Sequence, residues 1–108
     1  MLTDELRYRL MRLVDANPDM SQRDWARQLA VSVGKINSCV QALIRTGWIS
    51  ALRSKNRQNK NAYLYFLTRR GAEEKVRLNA KFLELKMLEY DSLRSEIEQM
   101  RQEAERDL

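Results

Sequence analysis

Between Ser32 and Gly47 the sequence sets Gly34, Asn37, Ser38, Gln41 and Arg45 at steps of three or four residues or their sums. On a helix turning about 100° per residue these share one arc with Ala42, and Lys35 flanks it. The opposite arc holds Val33, Ile36, Val40, Leu43 and Ile44, with Cys39 at the margin. The polar arc is therefore built of small, uncharged hydrogen-bonding groups with cations at its ends. Asn and Gln can meet adenine through two hydrogen bonds, Ser can bond either kind of base edge, and small residues let a helix approach a major groove closely. A helix that merely faces water more often carries Glu and Lys pairs. Base-edge contact by Gly34, Asn37, Ser38 and Gln41 is the reading favoured over an ordinary polar face.

The charge around that helix has the same sense. Net charge is +5, but residues 25–72 carry nine cations and no Asp or Glu, whereas residues 1–24 sum to −1 and residues 73–108 to −3. A solvated surface usually mixes signs, so 48 consecutive residues without an acid point to a polyanion. Arg53 to Asn61 alternates cations and amides, a composition suited to phosphates or to a minor groove. Ser32, Lys35, Arg45, Arg53, Lys55, Arg57 and Lys60 are the expected contacts to a nucleic-acid backbone.

Other chemistries find little support. Histidine is absent and cysteine occurs once, so a disulfide framework is excluded and no Cys/His cluster offers a zinc site; carboxylates or lysines could still serve as base or ligand, but no nucleophile–base pair is evident. No enzyme activity, metal or cofactor is expected. Cys39 invites a redox reading, but mid-helix at a core margin cysteine behaves as a small hydrophobe. Trp25 and Trp48 are expected in the core rather than as stacking platforms. The longest apolar run, 62–67, is far short of the ~20 residues of a membrane span, and Asp4 and Glu5 precede any apolar stretch, so neither a membrane segment nor a signal peptide is expected.

The elements that must position these residues can be read from caps and periodicity. Thr3 opens a helix to about Ala16, with Leu6, Leu10, Leu13 and Val14 on one stripe and Asn17-Pro18 at its end. Ser21 and Asp24 form a capping-box pattern for a short second helix to about Ala30, with Trp25, Ala26 and Leu29 inward. Ser32 caps the third helix, and Gly47 stops it. Residues 48–53 and 62–68 then read as two strands around a polar loop. Three helices and a basic hairpin are the order of a winged helix-turn-helix, in a chain that is mainly α with a small β-hairpin.

From Arg69 onward there is no proline, and Gly71 is the one glycine. One helix of ~57 Å is expected, longer than a small body can cover. In its distal half Tyr90, Leu93, Ile97, Met100 and Ala104 alternate at steps of three and four, the seam of a coiled coil, and Leu83 adjoins it. Val76, Phe82, Leu83, Leu85 and Leu88 read as a broader surface for packing on the body. Residues 1–70 are thus expected to form a DNA-binding domain, and residues 71–108 a dimerisation helix.

These residues together resemble the MarR-type winged-helix regulators associated with bacterial exopolysaccharide gene clusters. The likeness rests on Leu2-Thr3-Asp4-Glu5, Ser21-Gln22-Arg23, Val31 to Asn37, Ala42-Leu43-Ile44 and Gly47-Trp48-Ile49. It continues through Asn59-Lys60, Tyr63, Tyr65, Leu67-Thr68 and Gly71, then Phe82-Leu83, Lys86, Glu89-Tyr90 and Glu96-Ile97. Ala30 stands where a glycine is usual in the turn, and Arg69-Arg70 lacks the proline common after the threonine. General MarR proteins pair through helices from both chain ends, whereas here one long C-terminal helix is available. The resemblance implies a bacterial transcriptional regulator of polysaccharide synthesis genes. The combined expectation is a cytoplasmic, nucleoid-associated homodimer that binds an inverted-repeat operator in double-stranded DNA and represses, with no small-molecule effector assigned. The rival reading is a protein-interaction module whose coiled coil docks another partner; single-stranded RNA binding is weaker, for want of exposed stacking aromatics.

Overall fold

The computed structural model describes residues 3–53 and 63–108. Element order is α1 (Asp4–Ala16), α2 (Gln22–Leu29), α3 (Val33–Arg45), β1 (Ile49–Arg53), β2 (Tyr63–Leu67) and α4 (Arg69–Arg106). The chain divides into two compact units, Met1–Leu78 and Asn79–Leu108. None of the described helices is long and apolar enough to cross a membrane.

Each helix starts where its cap residue dictates. Thr3 Oγ1 accepts from the Leu6 amide at 3.1 Å. Ser21 accepts from the Asp24 amide at 3.2 Å while the Asp24 carboxylate accepts from the Ser21 amide at 3.3 Å, a reciprocal capping box. Ser32 Oγ accepts from the Lys35 amide at 3.0 Å. The ends are equally explicit. Gly47 takes φ +82° after α3, and the Trp48 amide donates back to Leu43 O at 2.9 Å. Ala30 does the same work between α2 and α3 in the left-handed region (φ 57°, ψ 43°), the conformation that makes glycine usual there.

The core lies among the first three helices, the start of the hairpin and the first part of α4. Leu10, Met11, Val14, Trp25, Ile36, Cys39, Val40, Leu43, Ile49 and Leu78 are fully or almost fully buried. Three assignments differ from the sequence reading. In α1 Tyr8 and Met11 are buried while Leu13 is half-buried, because the covered stripe is centred on Leu10 and Val14. Val33, read as inward, is 45% exposed at the first position of α3. Cys39, read as marginal, is fully buried beside Val40.

The two strands pair antiparallel, with Ile49 opposite Leu67, Ala51 opposite Tyr65 and Arg53 opposite Tyr63. The Tyr65 ring meets Trp25 edge-on at 5.6 Å, and Gln22 Nε2 donates to the Tyr65 hydroxyl at 3.2 Å. The hairpin is thereby fixed to the start of α2.

At the end of β2, Thr68 joins three elements. Its amide donates to Trp48 O at 3.0 Å, its hydroxyl donates to Gly47 O at 2.5 Å, and Oγ1 accepts from the Gly71 amide at 3.0 Å as the cap of α4. A Cβ on Gly71 would fall onto the Trp48 carbonyl, 2.8 Å from its carbon. Lys75 then reaches Asp15 of α1 at 2.8 Å, a partly exposed ion pair of about 0–1 kcal/mol.

Gly71 and Leu78 are the buried residues of α4 among those described. Val76, expected to pack on the body, is exposed within the first unit; in the second unit Leu83, Leu85 and Leu88 are exposed and Phe82 is half-buried. Val76 is about 200° around the helix from Leu78, and the other three lie beyond the end of the first unit.

Candidate nucleic-acid interface

The α3 surface develops from the alternation just described. With Ile36, Cys39, Val40 and Leu43 buried, helical geometry leaves Gly34, Lys35, Asn37, Ser38, Gln41 and Arg45 exposed, and Ala42 half-exposed. These are the residues that the sequence placed on one arc, apart from the newly exposed Val33. The Asn37, Ser38 and Gln41 side chains make no hydrogen bond among the described residues, so their donors and acceptors are free for a ligand. Lys35 and Arg45 likewise make no ion pair among the described residues.

Gly34 is informative because the fold does not require it. A Cβ there would meet nothing nearer than Ser32 Oγ at 4.0 Å. Gly34 is the second residue of α3, and a glycine in a helix costs up to about 1 kcal/mol relative to alanine. Ser32 itself is committed to capping, although its exposed position leaves it beside the free amides of the first turn.

The remaining cations differ in availability. Arg27 lies 3.6 Å from Asp24, and Arg69 lies 3.6 Å from Glu73. Arg53 is exposed at the end of β1 and has an interaction of its own. Lys55, Arg57 and Lys60 fall outside the described residues. The seam residues Leu83, Tyr90, Leu93, Ile97, Met100 and Ala104 are all exposed on α4.

Burial pushes the Cys39 thiol above its ordinary pKa, a shift that Arg7 partly opposes. A shielded thiol held protonated is a poor nucleophile. Trp25 is fully buried and Trp48 partly so, and each indole N–H is buried without a hydrogen-bond partner among the described residues.

The sequence reading missed the Thr68–Gly71 junction and the Gln22–Tyr65 tie. Gly71 carried a signal, as the single glycine of a long helix. The Gln22–Tyr65 contact spans 43 residues and had none.

Residues 3–50 match the family model described as winged helix-turn-helix DNA-binding. Structural comparison extends the likeness through the hairpin and α4. The fold is a winged helix-turn-helix. A MepR–DNA complex from Staphylococcus aureus superposes with a TM-score of 0.72 at 22% identity, over 93% of this chain and 72% of that one. FabT from Streptococcus pneumoniae, also solved with DNA, gives 0.60 at 20% identity over 82% of this chain and 59% of that one. A MarR-family protein of Mycobacterium tuberculosis, solved with p-aminosalicylic acid, gives 0.58 at 24% identity over 69% and 55%. The chain thus spans little more than half the length of these last two structures. No curated protein sequence matches it.

Proposed function

We propose that the protein is a MarR-type transcriptional regulator that binds double-stranded DNA in a sequence-specific manner as a homodimer. The observation that carries this reading is the α3 surface: three amide or hydroxyl side chains with no partner among the described residues, a glycine the fold does not need, cations at Lys35 and Arg45 without an ion pair among the described residues, and no acid on the helix. Gly34, Asn37, Ser38 and Gln41 contact base edges. Val33, exposed one turn before Asn37, adds an apolar contact of the kind that suits a thymine methyl. Ser32, Lys35, Arg45 and Arg53, with Lys55, Arg57 and Lys60 of the hairpin tip, hold the phosphates. The DNA present in the MepR and FabT structures supports the same use of the fold.

Residues 1–70 serve as the DNA-binding domain and residues 71–108 as the dimerisation helix, through Leu83, Tyr90, Leu93, Ile97, Met100 and Ala104. Two recognition helices related by a two-fold axis call for an inverted-repeat operator, its half-sites about one helical turn apart or a multiple. Repression is the expected sign, since no separate activating surface is evident among the described residues. The sequence resemblance supports polysaccharide synthesis genes as targets and a cytoplasmic, nucleoid-associated location.

Parallel titrations of operator and scrambled duplexes at two salt concentrations test the reading. With about six phosphate contacts per dimer, log K should fall against log salt with a slope near −5. Asn37→Ala or Gln41→Ala should cost about 1–3 kcal/mol at the operator and relax base preference at one position per half-site, leaving random DNA unaffected. Arg57→Ala should weaken both duplexes alike and reduce the slope by about one per hairpin. A slope near zero would eliminate nucleic acid as the ligand. A protein-interaction module predicts that outcome.

A further inference from the structure

The distal part of α4 carries a second pattern, in the charges that border its apolar seam. If Tyr90, Ile97 and Ala104 are the a positions and Leu93 and Met100 the d positions, Glu89, Glu96 and Glu103 precede the a residues. They occupy g. Arg94 and Arg101 follow the d residues and occupy e, while Met87 takes the e position one heptad earlier. One border of the seam is acidic and the other is mainly basic.

Tyr90, Leu93, Ile97 and Met100 are 63, 54, 45 and 60% exposed. Glu89 is engaged within its own helix, 3.3 Å from Lys86. Arg94, Glu96, Arg101 and Glu103 form no ion pair among the described residues, although Glu98 lies one turn from both arginines. Those four flanking charges are therefore open to a partner, as the apolar seam is, while Glu89 would exchange an exposed contact within its own helix for one across the pair.

The identity and direction of that partner follow from the two borders. In a parallel pair, each g residue faces the e residue five positions later on the other chain. Glu89 would meet Arg94 and Glu96 would meet Arg101, each contact occurring twice. In an antiparallel pair that keeps the same seam, a faces d, so residues whose numbers sum to about 190 are opposed. The g border then faces g, setting Glu96 against Glu96 and Glu89 against Glu103, and Arg94 against Arg94. Every such contact between the flanking charges is repulsive. The β-branched Ile97 at a beside leucine at d also favours a two-stranded parallel coil. We infer that residues 90–104 pair with a second copy of this chain in parallel, in-register fashion. This rests on the proposed homodimer and supplies its geometry.

The full-length chain can be tested by disulfide trapping and by charge reversal. Parallel pairing brings the two copies of position 104 close to the ~6 Å Cα separation that a disulfide needs. Ala104→Cys should therefore form a homodisulfide readily in a glutathione redox buffer, with the buried Cys39 as a silent bystander. In sedimentation equilibrium, Arg101→Glu should raise the dimer Kd by roughly tenfold, since two attractions become two repulsions. Adding Glu96→Lys to that variant should restore it, which separates pairing from any loss of helicity. A wild-type dimer in which Ala104→Cys stays reduced, Lys86→Cys crosslinks to Ala104→Cys, and Arg101→Glu is neutral would be antiparallel and would overturn the inference while sparing the dimer. A wild-type chain that sediments as a monomer at all concentrations would overturn both.

Discussion

A glycine that the fold neither strains nor crowds is explained only from outside the fold. At Gly34 the backbone is ordinary helix, and an added methyl would rest 4.0 Å from Ser32 Oγ. Alanine should accordingly stabilise the folded chain by about 0.5–1 kcal/mol. If the helix approaches DNA across this position, the same methyl stands in the interface, and operator affinity should fall while thermal stability rises. Thermal unfolding and operator titration of Gly34→Ala measure the two effects independently. A rise in both stability and affinity would remove Gly34 from the contact surface. Gly71 is the opposite case: its missing side chain is occupied by the Trp48 carbonyl. Gly71→Ala must push α4 away from that backbone, and a loss of about 1–3 kcal/mol is expected in chemical unfolding, as for other overpacked sites. Stability equal to the wild type would mean that the junction yields without cost.

Among the elements, the capping box of α2 gives a measurable pH dependence. The Asp24 carboxylate accepts from the Ser21 hydroxyl at 2.9 Å and from its amide, and these bonds lower its pKa. A carboxylate whose folded pKa is depressed contributes stability that is complete above its unfolded pKa, about 3.9, and is lost as pH falls through the folded value. Wild-type Tm should drop more between pH 5 and pH 3 than that of Asp24→Asn, which has no proton to gain there. Parallel slopes for the two proteins would show that the box contributes nothing in solution. This box was legible in advance because Ser21 and Asp24 are three residues apart, and the same is true of the Thr3 and Ser32 caps and the Gly47 stop. The exposed polar arc of α3 was legible for a related reason, since helical periodicity alone separates Asn37, Ser38 and Gln41 from Ile36 and Val40. What was not legible depends on distant chain segments. Periodicity names an apolar face on α4 but not which of its residues are covered, and Val76, expected inward, is exposed. Ala30 shows the same limit locally: its left-handed backbone is imposed by the α2–α3 turn, against the preference of its own side chain.

At the scale of the whole molecule, the proposed dimer would tie the long helix to the proposed DNA-binding surface. A body of this size buries only about 60% of the surface its unfolded chain exposes, so it is marginally stable alone. The exposed apolar residues from Leu83 to Met100 form a surface that a monomer would leave in water. Pairing through them would cover that surface and join two weak reading heads into one bivalent binder, whose second contact benefits from a high effective concentration. Truncation after Phe82 should separate these contributions. It retains every cap, the hairpin, the Thr68–Gly71 junction and the buried Leu78, and removes the whole seam. The fragment should sediment as a monomer or aggregate, and its operator binding should be much weaker than that of the full chain. Its salt slope should approach half the full-chain value, because each head would then displace counterions alone. A fragment that stayed dimeric with unchanged operator affinity would locate the dimer interface within residues 1–82, and the seam of α4 would have to serve some other partner.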